Sequence, residues 1–270
     1  MTTPPLLTHI AVAWGDVRAA LQHHHIITTL GWQDIATRYR RSRVGAFWLT
    51  INMVVMIVAI GFVFGTLFRQ PIAEMLPYLA IGLIVWGFLS TLINESCTSF
   101  IAAQETILQV RMPLFTHVMR VLWRNTIILG HNLLILPPLF LLFMKPLTPL
   151  ALWALPGFML LILNAAWIML ALAVACARFR DLTQIAQNGV QVIFYVTPII
   201  WSAALLPTHV GTALLDFNPV YHLINIIRAP LLGEAPSALN WTVAALMALI
   251  GWVVALTFFG RYHKRIPYWL

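Results

Sequence analysis

Arg38-Tyr39-Arg40-Arg41-Ser42-Arg43 leads directly into residues 44–68, VGAFWLTINMVVMIVAIGFVFGTLF, which carry no charge. As a helix, about 20 apolar residues rising ~1.5 Å each cover the ~30 Å of a bilayer's hydrocarbon. Cytoplasmic flanks carry the excess of Lys and Arg, so the arginine cluster sets the entry point and direction of the chain. The remainder is read as alternating sides from this junction.

The 270 residues are 61% hydrophobic and 9% charged. Such a chain is mostly membrane-embedded, and its length suits one compact membrane domain. The net charge of +8 comes from bases grouped beside apolar runs, which speaks for membrane orientation and against nucleic acid as a partner. Cys97 and Cys176 form neither a disulfide framework nor a zinc site, and His23-His24-His25 read as solvated. The N-terminus lacks the pattern of a cleaved signal peptide.

The reading is an all-α integral membrane protein of six spans. A cytosolic segment, residues 1–43, precedes a permease domain, 44–260, and a cytosolic tail, 261–270. After the first span come residues 76–101, 125–144, 147–177, 185–201 and 241–259. Within the N-terminal segment, Trp32, Ile35 and Tyr39 share one helical face, and Asp34 stands four residues before Arg38. That spacing predicts an amphipathic helix lying in the membrane interface from Trp32 to Arg41. Between the fifth and sixth spans, 203–215 and 220–232 are apolar but too short to cross. They predict two re-entrant helices meeting at Asn218-Pro219. The bases test this topology. Thirteen fall inside, and only Arg69, Lys145 and Arg228 fall outside, of 16 in all.

No phosphate loop, nucleophile elbow or His-Glu-x-x-His zinc motif is present, so no catalytic residue or metal ligand is assigned. Glu95 is the one acid placed within a span, near its cytosolic end, in reach of water or a neighbouring arginine. His131 is the one histidine placed near mid-membrane. Ion-coupled carriers need more deep ionisable groups than this, so energy must come from elsewhere.

From Gly31 to Leu270 the chain resembles the permease subunits of bacterial ABC exporters for cell-surface polysaccharide. The resemblance rests on residues 38–48, on Gln109-Val110-Arg111-Met112-Pro113, and on Arg178-Phe179-Arg180-Asp181. It also rests on Thr197-Pro198-Ile199-Ile200-Trp201, on residues 218–228 and on the terminal Ile266-Pro267-Tyr268-Trp269-Leu270. It is closest to O-antigen exporters, with capsule and teichoic acid permeases near. The resemblance implies a homodimer in the bacterial inner membrane, with both termini cytosolic and two copies of a separate ABC ATPase subunit. ATP and Mg would bind on that partner and no cofactor on this chain. The implied cargo is a glycan on undecaprenyl pyrophosphate.

The residues fit such a cargo. Phe62, Phe64 and Phe68 in the first span, with Phe194, Tyr195 and Trp201 in the fifth, offer aromatic walls on which sugar C–H faces slide. Arg38, Arg40, Arg41 and Arg43 lie where a lipid pyrophosphate would sit, and guanidinium forks hold phosphate oxygens in pairs. They also anchor the span. Gln104, Glu105, Arg111 and Met112, with Arg180 and Asp181 nearby, are the expected contacts to the ATPase. Two other readings are a permease for a small hydrophobic compound and an intramembrane enzyme built around Glu95 and His131.

Overall fold

The computed structural model describes residues 6–40, 45, 47–67, 69–203 and 214–270. All regular structure among them is helical. The order is α1 (Leu6–Gln22), α2 (His24–Tyr39), α3 (Phe47–Leu67), α4 (Ile72–Ala102), α5 (Gln104–Gln109), α6 (Phe115–Leu133) and α7 (Leu136–Leu142). A 3-10 turn, Pro149–Trp153, leads into α8 (Ala154–Arg178), followed by α9 (Leu182–Val196), α10 (Pro219–Leu231), α11 (Ala238–Tyr262) and α12 (Ile266–Trp269). Five described stretches are long and apolar enough to cross a membrane: Phe47–Leu67, Ile72–Ala102, Phe115–Leu142, Pro149–Arg178 and Ala238–Trp269. This is a multi-pass membrane protein.

The bundle is built around α4, which is apolar on nearly all sides and packs on α3, α6, α8, α9 and α10. On its far side α8 pairs with α11. There Ala244, Ala248, Gly251 and Ala255 form a buried seam of small residues that lets the two helices close up. Asn164 adds a polar tie across that seam, donating to the Ala244 carbonyl at 3.0 Å.

Three elements differ from the sequence reading. The first is the N-terminal segment. It forms two helices, and the second, α2, contains the expected helix from Trp32 as far as Tyr39 but starts eight residues earlier. Ile35 is buried against the bundle while Trp32, beside it on the helix, is exposed, and Asp34 bonds to α6. The buried stripe is Ile27, Gly31 and Ile35, spaced by four, and it faces α6. A Cβ at Gly31 would lie 2.8 Å from Trp123 Cδ1 and 3.2 Å from the Arg120 carbonyl, so a side chain there would force α2 or Trp123 to shift. α1 crosses the end of α11, and a methyl on Gly260 would collide with the His9 carbonyl.

The second difference is the start of the third span. Its helix begins at Phe115, ten residues before the expected Asn125, so Arg120 and Arg124 are helical. The reason is a cap supplied from far away. Both carboxylate oxygens of Asp16 on α1 accept from α6, from the Leu114 and Phe115 amides at 3.0 and 2.9 Å. These are donors that a helix start otherwise leaves unsatisfied. His263 closes the same carboxylate at 2.9 Å.

The third is the expected fifth span. α9 has 15 residues, or about 22 Å of helix, short of a full crossing. Pro198 ends it, because a residue before proline is pushed out of the helical region, and Thr197 is extended (φ −88°, ψ 135°). The backbone freed by this break is satisfied by side chains. Arg228 Nη1 donates to the Pro198 carbonyl at 2.8 Å, and the Tyr78 hydroxyl donates to the same oxygen at 3.1 Å. The guanidinium lies 3.9 Å from the centre of the Tyr78 ring. Arg228, placed outside by the charge count, is 2% exposed. Asn218 caps α10 as its place before Pro219 suggests, accepting from the Val220 and Tyr221 amides. Most of the other short segment, 204–213, lies outside the described residues.

Losing the Asp16 cap strips two backbone partners from a half-buried helix start. Asp16→Ala should lower stability by about 1–2 kcal/mol, read as a lower melting temperature of the detergent-purified protein. An unchanged melting temperature would show that α1 does not hold α6.

Candidate functional site

α9 is the unusual helix of the bundle. Val190 is its only buried residue. Its exposed residues include Gln184, Gln187, Asn188 and Gln191, spaced at i, i+3, i+4 and i+7, which is one helical face. Tyr195 lies four residues beyond Gln191, 60% exposed. A neutral amide face is left unsatisfied against lipid, so it needs water, a polar cargo or another protein surface. Its four amides offer hydrogen bonds without charge, and the aromatic end offers flat apolar area.

The expected channel residues divide into two groups. Phe194, Tyr195 and Trp201 come together. Phe194 lies 5.4 Å from the Tyr195 ring and 5.8 Å from Trp86, and Trp201 Nε1 donates to the Tyr195 carbonyl at 3.3 Å. Phe62 is 65% exposed and Phe64 half-buried on α3, whose buried stripe is only Ile57, Gly61 and Gly65. α3 and α9 each pack on α4 without forming a packed interface with one another. Phe68 lies outside the described residues. Of the expected pyrophosphate ligands, Arg40 is exposed at the end of α2, while Arg41, Arg43 and the Arg38 side chain lie outside what is described. The amide face was missed by the sequence reading. Its spacing was visible, but apolar neighbours such as Ile185 and Val192 mask it in any average.

Glu95 sits in an ion-pair chain. Its Oε2 accepts from Arg124 Nη2 at 2.5 Å and from Asn125 Nδ2 at 2.6 Å. Arg124 Nη1 reaches Asp34 at 3.0 Å, and Arg120 forks onto the same Asp34 carboxylate through Nε and Nη2. The chain joins α2, α6 and α4. Burial pushes the Asp34 pKa upward, and the hydrogen bonds and charges of Arg120 and Arg124 outweigh it, holding the carboxyl below its ordinary value. His131 is packed and bonded, its Nδ1 donating to the Ile127 carbonyl at 2.8 Å and its ring edge-on to Phe47. No cluster of metal ligands exists among the described residues.

A family model described as ABC-2 type transporter matches residues 25–232. The chain belongs to that family. Its similar relatives include two described as "O-antigen export system permease protein RfbA" from Klebsiella pneumoniae. They are 23% and 21% identical, each over 86% of this chain and about nine-tenths of its own length. A third of the same description, from Myxococcus xanthus, is 23% identical over 79% of this chain and 82% of its own. An ABC-2 permease is a transport component that pairs with an ABC ATPase subunit.

The expected coupling residues of this ABC-2 chain lie on short connections. Glu105 and Arg111 are exposed, on α5 and just after it; Gln104 and Met112 are half-buried. Arg180 and Asp181 are exposed between α8 and α9. α12 packs on both α5 and α8, which places the two connections at one end of the bundle.

Arg124→Met leaves two carboxylates without their shared cation and should cost about 3 kcal/mol, read by thermal unfolding in detergent. The pH dependence has a defined sign. Because the folded pKa of Asp34 is lowered, its contribution is complete above the ordinary value of 3.8 and is lost as pH falls through the lower folded value. Asp34→Asn should therefore flatten the pH dependence of stability below about pH 4 and leave the pH 5–7 slope unchanged. A changed slope between pH 5 and 7 would contradict this assignment.

Proposed function

We propose that this chain is the membrane subunit of an ATP-driven exporter of lipid-linked polysaccharide of the O-antigen class. Two copies would enclose the path, joined to two copies of an ABC ATPase that binds ATP and Mg, in the inner membrane of a bacterium. Both termini would be cytosolic. The observation that carries this reading is the exposed amide-and-aromatic face of α9. A long glycan needs hydrogen-bonding groups that hold no charge, and rings on which C–H faces slide. A small apolar cargo would need neither.

On this reading α9 is the central part of a sixth crossing. About 22 Å of helix is followed by the bent residues 197–201, so the crossing would be part helix and part irregular backbone. Irregular backbone is tolerated at that depth where protein covers it, and Thr197, Pro198 and Ile199 are buried. α10, at 13 residues, is too short to cross and serves as a re-entrant helix closing the outer side. The relatives' names support the cargo class. The arginines at 38, 40, 41 and 43 would receive the pyrophosphate of the lipid carrier.

Two experiments follow. Gln187→Leu with Gln191→Leu should leave the complex assembled and lower glycan export at least tenfold, measured as polymer reaching the cell surface. Export at the wild-type rate would remove α9 from the path. Cysteines at 105 and 111 should crosslink to the partner ATPase. An intact complex giving no crosslink from either position would refute the coupling assignment.

A further inference from the structure

A second basic site lies away from α9's amide face. Ala175, Arg178, Phe179, Leu182, Phe258, Tyr262, Arg265 and Trp269 line a cavity of about 500 Å³ between the ends of α8 and α11, floored by α12. No acid lines it. The Arg178 guanidinium lies within cation–π range of two rings, 5.5 Å from the centre of Phe179 and 5.4 Å from that of Trp269. Tyr262 lies 5.4 Å from Trp269 and holds that ring in place. Ring contacts of this kind use the cation's charge and leave its N–H donors available to an acceptor. Neither Arg178 nor Arg265 has an ion pair among the described residues. Arg261 and Lys264 add positive charge on the adjoining turn.

The position narrows the ligand. Two membrane-spanning stretches end here, Pro149–Arg178 and Ala238–Trp269, so the cavity opens at headgroup depth. Aromatic rings belong at that level, and basic pockets between spanning helices suit anionic headgroups. The apolar wall of Ala175, Leu182 and Phe258 continues towards the hydrocarbon and suits the start of a lipid tail. A soluble anion would use the arginines but not that wall.

We propose that this cavity binds the phosphate headgroup of a membrane lipid, with Arg178 and Arg265 gripping its oxygens. The inference rests on the membrane-spanning fold and not on the exported cargo. The phosphate has two possible sources, an anionic phospholipid of the bulk bilayer or an isoprenoid diphosphate. The test is native mass spectrometry of the full-length protein, alone or with its ATPase, released from nanodiscs. One arm supplies phosphatidylglycerol against phosphatidylcholine, and a second supplies undecaprenyl diphosphate. Selective retention of phosphatidylglycerol assigns a structural phospholipid site. Displacement of phosphatidylglycerol by undecaprenyl diphosphate assigns a carrier site. In either case Arg178→Gln with Arg265→Gln should weaken retention by roughly tenfold or more. If that double variant does not fold, Arg265→Gln alone, at an exposed side chain, should still lower retention severalfold. Equal retention by wild type and variant in both arms would overturn the proposal.

Discussion

Asp34, Arg120, Arg124 and Glu95 form one chain of ion pairs between an N-terminal helix and two membrane-spanning ones. Along the chain Arg120–Asp34–Arg124–Glu95 the charges alternate in sign, every link is at least partly shielded from water, and removing either middle member, Asp34 or Arg124, takes an ion-pair partner from a neighbour. The chain fixes α2 against α6 and α4. Asp16 does the same for α1 by capping α6 and meeting His263. The N-terminal helices are therefore part of the bundle and not a strap lying loosely on the membrane. Any push on this end of the protein would reach α4 and α6 through charged contacts.

The opposite requirement governs α9. Here the helix stops early at Pro198, and the structure meets the cost of a broken backbone with Arg228 and Tyr78. Gly82 makes room for that arginine, since a methyl there would collide with Nη2. The guanidinium is held by a carbonyl and a ring and has no carboxylate ion pair among the described residues. A rigid, pinned break behind α9 keeps its amide face turned away from the bundle.

Spans were legible because hydropathy is a local property, and α3, α4, α8 and α11 fall where uncharged runs fall. What was not legible depends on partners distant in sequence. Asp34 has Arg38 four residues away, an obvious local pair, yet its partners are Arg120 and Arg124. The early start of α6 depends on a carboxylate about a hundred residues upstream. Arg228 counts as one more outside base in a charge tally, and nothing local reveals that it folds inward beneath a proline. Glu95 was legible in kind, as a carboxylate near an arginine, though not in its link to α2. The amide face lay in plain spacing but was diluted by Ile185, Val190 and Val192 between its members.

The central claim is that the chain moves a lipid-linked glycan using a partner's ATP hydrolysis. The direct measurement places the purified complex of this chain and its ATPase in sealed vesicles loaded with the lipid-linked glycan on one leaflet. A glycosidase on the other side reports arrival. The account predicts digestion that requires ATP and both subunits. Assembled complexes that hydrolyse ATP without moving the glycan, or movement that continues without the ATPase, would contradict it.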